Sequence, residues 1–141
     1  MLGHRPVPAG ARVLRPPPAT LVATPRDVEP ALPPGVERIA VGDGRVDLGA
    51  LLEALRARGV RSVLVEGGSE ILASFLRERL VDRLTVFVAP TVIGGRTAPA
   101  LAGGRDLPPD GAVGLALDAV ERLDDGVLLT WHVPADGSGR P

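Results

Sequence analysis

The stretch Val60-Arg61-Ser62-Val63-Leu64-Val65-Glu66-Gly67-Gly68-Ser69-Glu70-Ile71-Leu72-Ala73-Ser74-Phe75-Leu76 runs from an apolar segment through two glycines into a helical pattern. Residues 62–65 form a continuous apolar run, which predicts a strand buried on both faces of a parallel sheet. Ser69 is placed to cap a following helix, with Ile71, Leu72, Phe75, Leu76 and Leu80 on its inward face. A strand that ends in two glycines and turns straight into a helix leaves backbone N–H groups free of side chains at the positive end of the helix dipole. That combination suits an anion, and the diphosphate of a nucleotide cofactor is its usual occupant. In a parallel sheet, ligands also collect at the carboxyl ends of strands.

Plainer readings of the same residues stand beside this one. A Gly-Gly pair can be only a tight turn, and the pattern matches neither a G-x-G-x-x-G nor a Walker loop. Glu66 can be a solvated strand-end charge, a partner for Arg61 or Arg96, or a ligand-binding acid in a cleft. The Ser69 hydroxyl serves as well for a cap as for a phosphate ligand, and Glu70 favours the helix dipole in any case.

Working outward, Leu48, Leu51, Leu52 and Leu55 share one helical face, Asp47 is a suitable N-cap, and Gly59 closes the segment as a C′ residue. Before it, residues 20–24 and 36–41 read as short strands, the first cut off by Pro25. Residues 1–19 are proline-rich and read as a lead-in lying over a surface. After the central stretch, residues 84–89 read as a strand stopped by Pro90. The glycine- and proline-rich run from 94 to 111 is a long loop, and loops of that kind are uncommon without a function or a missing partner. Residues 113–123 and 127–133 flank Asp124-Asp125-Gly126, a hairpin signature with Gly where positive φ is needed. The order of elements predicts an α/β fold with a mostly parallel sheet and a C-terminal antiparallel hairpin. One domain over residues 1–134 and a disordered tail over 135–141 complete this organisation.

Composition narrows the function classes. The net charge of −1 is spread along the chain, and the only aromatics are one Trp and two Phe. Neither a phosphate-neutralising block nor a set of stacking platforms is present, so nucleic-acid binding is set aside. No apolar run approaches the ~18 residues of a membrane span, and no signal-peptide pattern opens the chain. Every cation is Arg, which removes Schiff-base chemistry on Lys, and the absence of Cys removes disulfides and thiolate catalysis. A soluble cytoplasmic protein is the expectation. His4 and His132 are isolated in the sequence and read as incidental.

Taken together, Val65-Glu66-Gly67-Gly68, Leu72, Phe75-Leu76, Val81-Asp82-Arg83-Leu84, Ala89-Pro90 and Ile93-Gly94-Gly95 resemble the C-terminal reductase domain of bacterial riboflavin-biosynthesis deaminase–reductases. Weaker likeness extends back through Gly44-Arg45-Val46-Asp47-Leu48 and residues 20–24, and forward into the hairpin. The resemblance implies a dihydrofolate-reductase-like three-layer sandwich. It also implies reduction, by NADPH, of a ribosylamino-pyrimidine 5′-phosphate to its ribitylamino form. Glu66 would then hold the substrate. Gly67, Gly68, Ser69, Glu70, Ile71 and Leu72 would line the cofactor, mostly through backbone, and Thr24 would lie near its adenosine half. No metal is called for, and family habit points to a homodimer.

The resemblance fails at the front, where family members carry roughly a further half-domain before the equivalent of Met1. Without those strands, a sheet would expose edges and an apolar face. A shortened reading of a longer protein, recruitment of the other half from a partner or second copy, and a non-catalytic remnant acting as a binding module are the three accounts. A reductase of another, pterin-like substrate is a further alternative. No H-x-E with P-C-x-x-C signature is present, so deamination is not expected.

Overall fold

Proline and arginine shape the first part of the chain. The computed structural model describes residues 8, 10–15, 19–95, 97–98, 100–104 and 112–134. Leu21–Thr24 (β1) stops at Pro25 and pairs in parallel with Glu37–Ala40 (β2), Leu21 lying opposite Glu37 and Thr24 opposite Ala40. A parallel pair cannot be closed by a tight turn. Here the connection contains no helix and is held by Arg38. Its guanidinium donates to Thr24 Oγ1 (2.8 Å) and to the backbone oxygens of Val28 (2.6 Å), Pro25 (3.2 Å) and Arg26 (3.3 Å), and it pairs with Glu29.

Leu48–Ala57 (α1) begins as its sequence dictates, with the Asp47 carboxylate accepting from the Ala50 N–H at 2.9 Å. It ends in a glycine cap: Gly59 sits at φ +83°, its N–H bonds Arg56 O, and the Val60 N–H bonds Leu55 O. One face of α1 meets β1 and β2 in a core of Ala23, Ile39, Val41 and Leu51, with Leu21, Val46 and Leu55 packed around it. The proline-rich lead-in is more than a surface strap. Arg12–Leu14 makes a short 3₁₀ turn, Leu14 is buried, and the Thr20 hydroxyl donates to Val13 O at 2.5 Å.

The largest departure from the sequence expectation concerns residues 62–65. They are not part of a sheet: residues 61–68 form no strand, Leu64 is 81% exposed, and Val63 is also exposed. Apolar composition signals a strand suited to burial, but a strand also needs neighbours, and none of the described residues pairs with this one. The mostly parallel sheet is corrected with it, because among the described residues parallel pairing is confined to β1 and β2.

The remaining elements follow in order. Ser69–Arg77 (α2) buries Ala73 and Phe75. Arg83–Val88 (β3), Ala116–Leu123 (β4) and Gly126–His132 (β5) form an antiparallel sheet in the order β3-β5-β4. The C-terminal hairpin is therefore present, with a register shift between Leu117 and Ala119. Leu84 and Val86 on β3 stand opposite Trp131 and Leu129 on β5, which stand opposite Leu117 and Val120 on β4. Strand alternation puts these six on one face, and Val120 there is 60% exposed. By compact packing, the chain divides into the units Met1–Leu64 and Val65–Pro141. The expected tail at 135–141, and residues 105–111 of the long loop, lie outside the described residues.

The hairpin turn also differs from the sequence reading. Positive φ falls on Asp124 (+52°), not on Gly126. Gly126 is instead a buried strand residue whose missing side chain admits a neighbour: a Cβ there would lie 2.3 Å from Phe87 Cζ and 2.8 Å from Val88 O. Gly126→Ala is therefore expected to destabilise the sheet by about 1–3 kcal/mol, since the carbonyl cannot move without disturbing the β3–β5 ladder. Urea unfolding followed through the single tryptophan, Trp131 on β5, measures this; an unchanged midpoint would refute it.

Candidate active site

The turn from residue 65 to residue 70 sets the local chemistry. Gly68, at φ −67° and ψ 167°, is the N-cap of α2, and no side chain caps this end. Ser69 is the first helical residue and not the cap expected for it. The Gly68 carbonyl accepts from Ile71 N (3.0 Å) and Leu72 N (3.2 Å), closing the first turn. The N–H groups of residues 67–70 have no acceptor among the described residues. Successive amides thus converge at the positive end of the α2 dipole.

The two glycines have separate reasons to be glycine. At Gly67 a Cβ would stand 2.9 Å from both Ile71 Cβ and Cγ2, so the backbone there packs directly on the first turn of α2. At Gly68 a Cβ would meet nothing within 4 Å. A Cβ at 68 would therefore be accommodated without striking the protein itself.

Glu66 is exposed and makes no hydrogen bond or ion pair among the described residues. Of the sequence alternatives, a pairing with Arg61 does not form; Arg96 lies outside the described residues. Ser69 is drawn into a contact the sequence does not reveal: its carbonyl accepts from the Gly103 N–H at 3.1 Å. A Cβ at Gly103 would fall 2.8 Å from Ser69 Oγ, and one at Gly104 would fall 3.5 Å from Glu70 Cγ. The long loop therefore returns to the first turn of α2, where glycine permits its close approach. A glycine pair so far along an irregular loop was the available signal. Glu70 is exposed, its carbonyl accepting from Ser74 Oγ at 2.8 Å, while Ile71 and Leu72 are half-buried in the same turn.

Thr24 belongs to the other unit. Its hydroxyl is already engaged, accepting from Arg38 Nε at 2.8 Å and donating to Val28 O at 3.3 Å, and the residue is buried. The direct role of its side chain is to hold the loop after β1, and Arg38, missed in the sequence, organises that loop. An arginine inside the strand pattern Val36-Glu37-Arg38-Ile39-Ala40 was the signal. The same end of β1 and β2 carries Arg26, paired with Asp43 at 3.3 Å, and Asp27, which accepts from the Gly44 N–H at 3.0 Å. His132 is not isolated, since its Nδ1 lies 2.6 Å from Asp118 Oδ1 where β4 departs from regular register. His4 lies outside the described residues.

Comparison with known proteins places these features. The chain is 34% identical over 128 residues to the 2,5-diamino-6-ribosylamino-4(3H)-pyrimidinone 5′-phosphate reductase of Archaeoglobus fulgidus, covering 88% of this chain and 57% of that protein. It is 34% identical over 121 residues to the riboflavin biosynthesis protein RibD of Actinobacillus pleuropneumoniae, covering 81% of this chain and 32% of that one. Among solved structures, the deaminase/5-amino-6-(5-phosphoribosylamino)uracil reductase of Thermotoga maritima superposes with a TM-score of 0.71 at 26% identity, over 87% of this chain and 33% of that chain. The chain thus spans little more than half of the first relative and about a third of the other two. Its α/β architecture is that of the RibD reductase structures. The RibD C-terminal domain family matches residues 2–129, across both compact units, and to that family the chain belongs.

Proposed function

We propose that this chain is the cofactor-binding part of an NADPH-dependent reductase that converts a ribosylamino-pyrimidine 5′-phosphate to its ribitylamino form. The carrying observation is the N-terminus of α2, where no side chain caps the helix, the amides of residues 67–70 have no acceptor among the described residues, and a Cβ at Gly68 would meet nothing within 4 Å. These groups fit a diphosphate: the donors are backbone, the dipole is favourable, and no side chain fills the approach. Gly67, Gly68, Ser69 and Glu70 would hold the diphosphate through their N–H groups, while Ile71 and Leu72 stiffen the turn that presents them. Thr24 acts on the adenosine half indirectly, through the loop it and Arg38 secure.

When bound, NADPH supplies the hydride. The protein's own task is to orient the ligands and exclude water. Glu66, unpaired and exposed two residues before the N-cap, would accept hydrogen bonds from neighbouring sugar hydroxyls and fix the ribosyl carbon toward the nicotinamide. The two compact units are proposed to be parts of one dihydrofolate-reductase-like sandwich spanning residues 1–134, because one family description runs through both. The working form is proposed to be a cytoplasmic homodimer, with a second copy covering the apolar face of the β3-β5-β4 sheet. A binding or assembly module without turnover is the second reading, favoured by the exposed Val92 (96%) and Ile93 (76%).

Calorimetric titration with NADPH, NADH and the pyrimidine phosphate tests these assignments. NADPH is expected to bind saturably and more tightly than NADH. Gly68→Val should lower NADPH affinity about 10- to 100-fold, the effect of losing one or two charge-assisted hydrogen bonds, without loss of fold. Glu66→Gln should leave NADPH affinity within about 2-fold and weaken the pyrimidine ligand about 10-fold. Retained NADPH affinity in Gly68→Val would remove the cofactor from this turn; parallel loss of both ligands in both variants would indicate unfolding. For the dimer, sedimentation velocity should show a two-chain mass that Val120→Arg halves while circular dichroism is unchanged. A monomeric parent chain would end that assignment.

A further inference from the structure

Two Asp-Gly steps lie among the described residues, Asp43-Gly44 and Asp125-Gly126. Such a step carries a chemical liability of its own. The glycine nitrogen can attack the aspartyl Cγ: an N–C bond forms, a C–O bond breaks, and water leaves. The resulting succinimide takes up water again at either carbonyl. It returns Asp, or an isoaspartyl linkage whose main chain is one methylene longer. Glycine favours the attack because no Cβ hinders its nitrogen and its backbone turns freely. Gly126 is buried in β5, opposite Leu123 in the hairpin ladder, where strand pairing opposes the rearrangement. Asp43-Gly44 has no such shelter. It lies outside any helix or strand, Gly44 is exposed, and the Asp43 side chain is 82% exposed.

What this loop does have is a second carboxylate on the nitrogen that would attack. The Gly44 N–H donates to Asp27 Oδ1 at 3.0 Å. Arg26 Nη1 lies 3.3 Å from Asp43 Oδ2, and the Arg26 N–H donates to Gly42 O at 2.9 Å. Residues 26 and 27 thus hold Gly42, Asp43 and Gly44 each by a separate contact. We propose that the Asp27 carboxylate protects the Asp43–Gly44 bond from succinimide formation. To attack, the Gly44 nitrogen must give up its proton, and the amide anion would then face a carboxylate at hydrogen-bond distance. It must also turn toward Asp43 Cγ, which breaks the bond to Asp27. The Arg26–Asp43 pair is exposed on both sides and adds little. The protected bond matters to α1. A Cβ on Gly42 would fall 2.3 Å from Arg45 O and 2.6 Å from Asp47 N, so the turn leading to the Asp47 cap has no slack. One added methylene at residue 43 would shift that cap from the Ala50 N–H it now holds. All of these residues belong to the first compact unit, and none is in the proposed cofactor turn at residues 67–70.

The test incubates the full chain for several weeks at neutral pH and physiological temperature. It then follows the tryptic peptide Ile39-Ala40-Val41-Gly42-Asp43-Gly44-Arg45 by mass spectrometry, with fragmentation that separates isoaspartate from aspartate. A synthetic peptide of the same sequence gives the unprotected rate. The folded chain should isomerise at Asp43 about 10-fold more slowly than the peptide, and Asp27→Ala should recover most of that difference. Asp27→Asn keeps an acceptor for the Gly44 N–H without the charge and should fall between the two. Isomerisation at Asp125 and amide exchange in α1 should be unchanged by either substitution. A folded chain that isomerises at Asp43 as fast as the peptide would overturn the proposal. An Asp27→Ala rate equal to the parent's would also overturn it, in favour of loop rigidity alone. A rate below the parent's would do so in favour of Asp27 acting as a base. Faster isomerisation accompanied by lost α1 protection would assign the effect to local unfolding, and the proposal would fall with it.

Discussion

Backbone N–H and C=O groups that leave water must find partners, and this requirement sorts the whole chain. Where pairing is made, regular elements form. α1 is capped at both ends, β1 and β2 share a ladder, and β5 pairs with β3 on one side and β4 on the other. Where it is incomplete, at residues 61–70, the chain presents its proposed ligand-binding turn and its apolar segment side by side in sequence. The two kinds of incompleteness differ in chemistry. The amides of residues 67–70 are donors at a helix N-terminus and suit an anion, whereas residues 61–66 leave both donors and acceptors without backbone partners among the described residues.

The free amides persist because nothing local competes for them. A Ser or Asp at position 68 would cap α2 with its own oxygen, but Gly68 has none, and Ser69 lies one residue too late to do so. Close packing of Gly67 on Ile71 keeps the turn tight. The return of the long loop, through the Gly103 N–H to Ser69 O, braces the same helical turn from the other side of the chain. If the turn takes the proposed anion, backbone held by these contacts lowers the ordering entropy that binding must overcome.

In the first unit the comparable constraint is a charged side chain. Arg38 is mostly buried and spends its donors on Thr24, on Glu29 and on three carbonyls of the loop after β1. An arginine so placed would be costly without those acceptors, and the loop would be irregular without the arginine. Thr24, expected beside a cofactor, has its hydroxyl committed to Arg38 and to Val28 O in this loop.

The sequence by itself determined what depends on neighbours a few residues away. The Asp47 cap, the Gly59 stop, the amphipathic face of α1, the proline ends of β1 and β3 and the family signature around Glu66-Gly67-Gly68 were all legible, because each follows from local spacing or local backbone preference. Tertiary structure alone decided what depends on residues far apart. It placed Gly103 on Ser69, engaged the Thr24 hydroxyl with Arg38, gave Gly126 to Phe87 rather than to the turn, and left residues 62–65 unpaired despite their strand composition. Strand propensity describes a side chain's fit to a pleated, buried surface. Whether that surface exists is settled by hydrogen-bonding neighbours, which no local window of sequence contains.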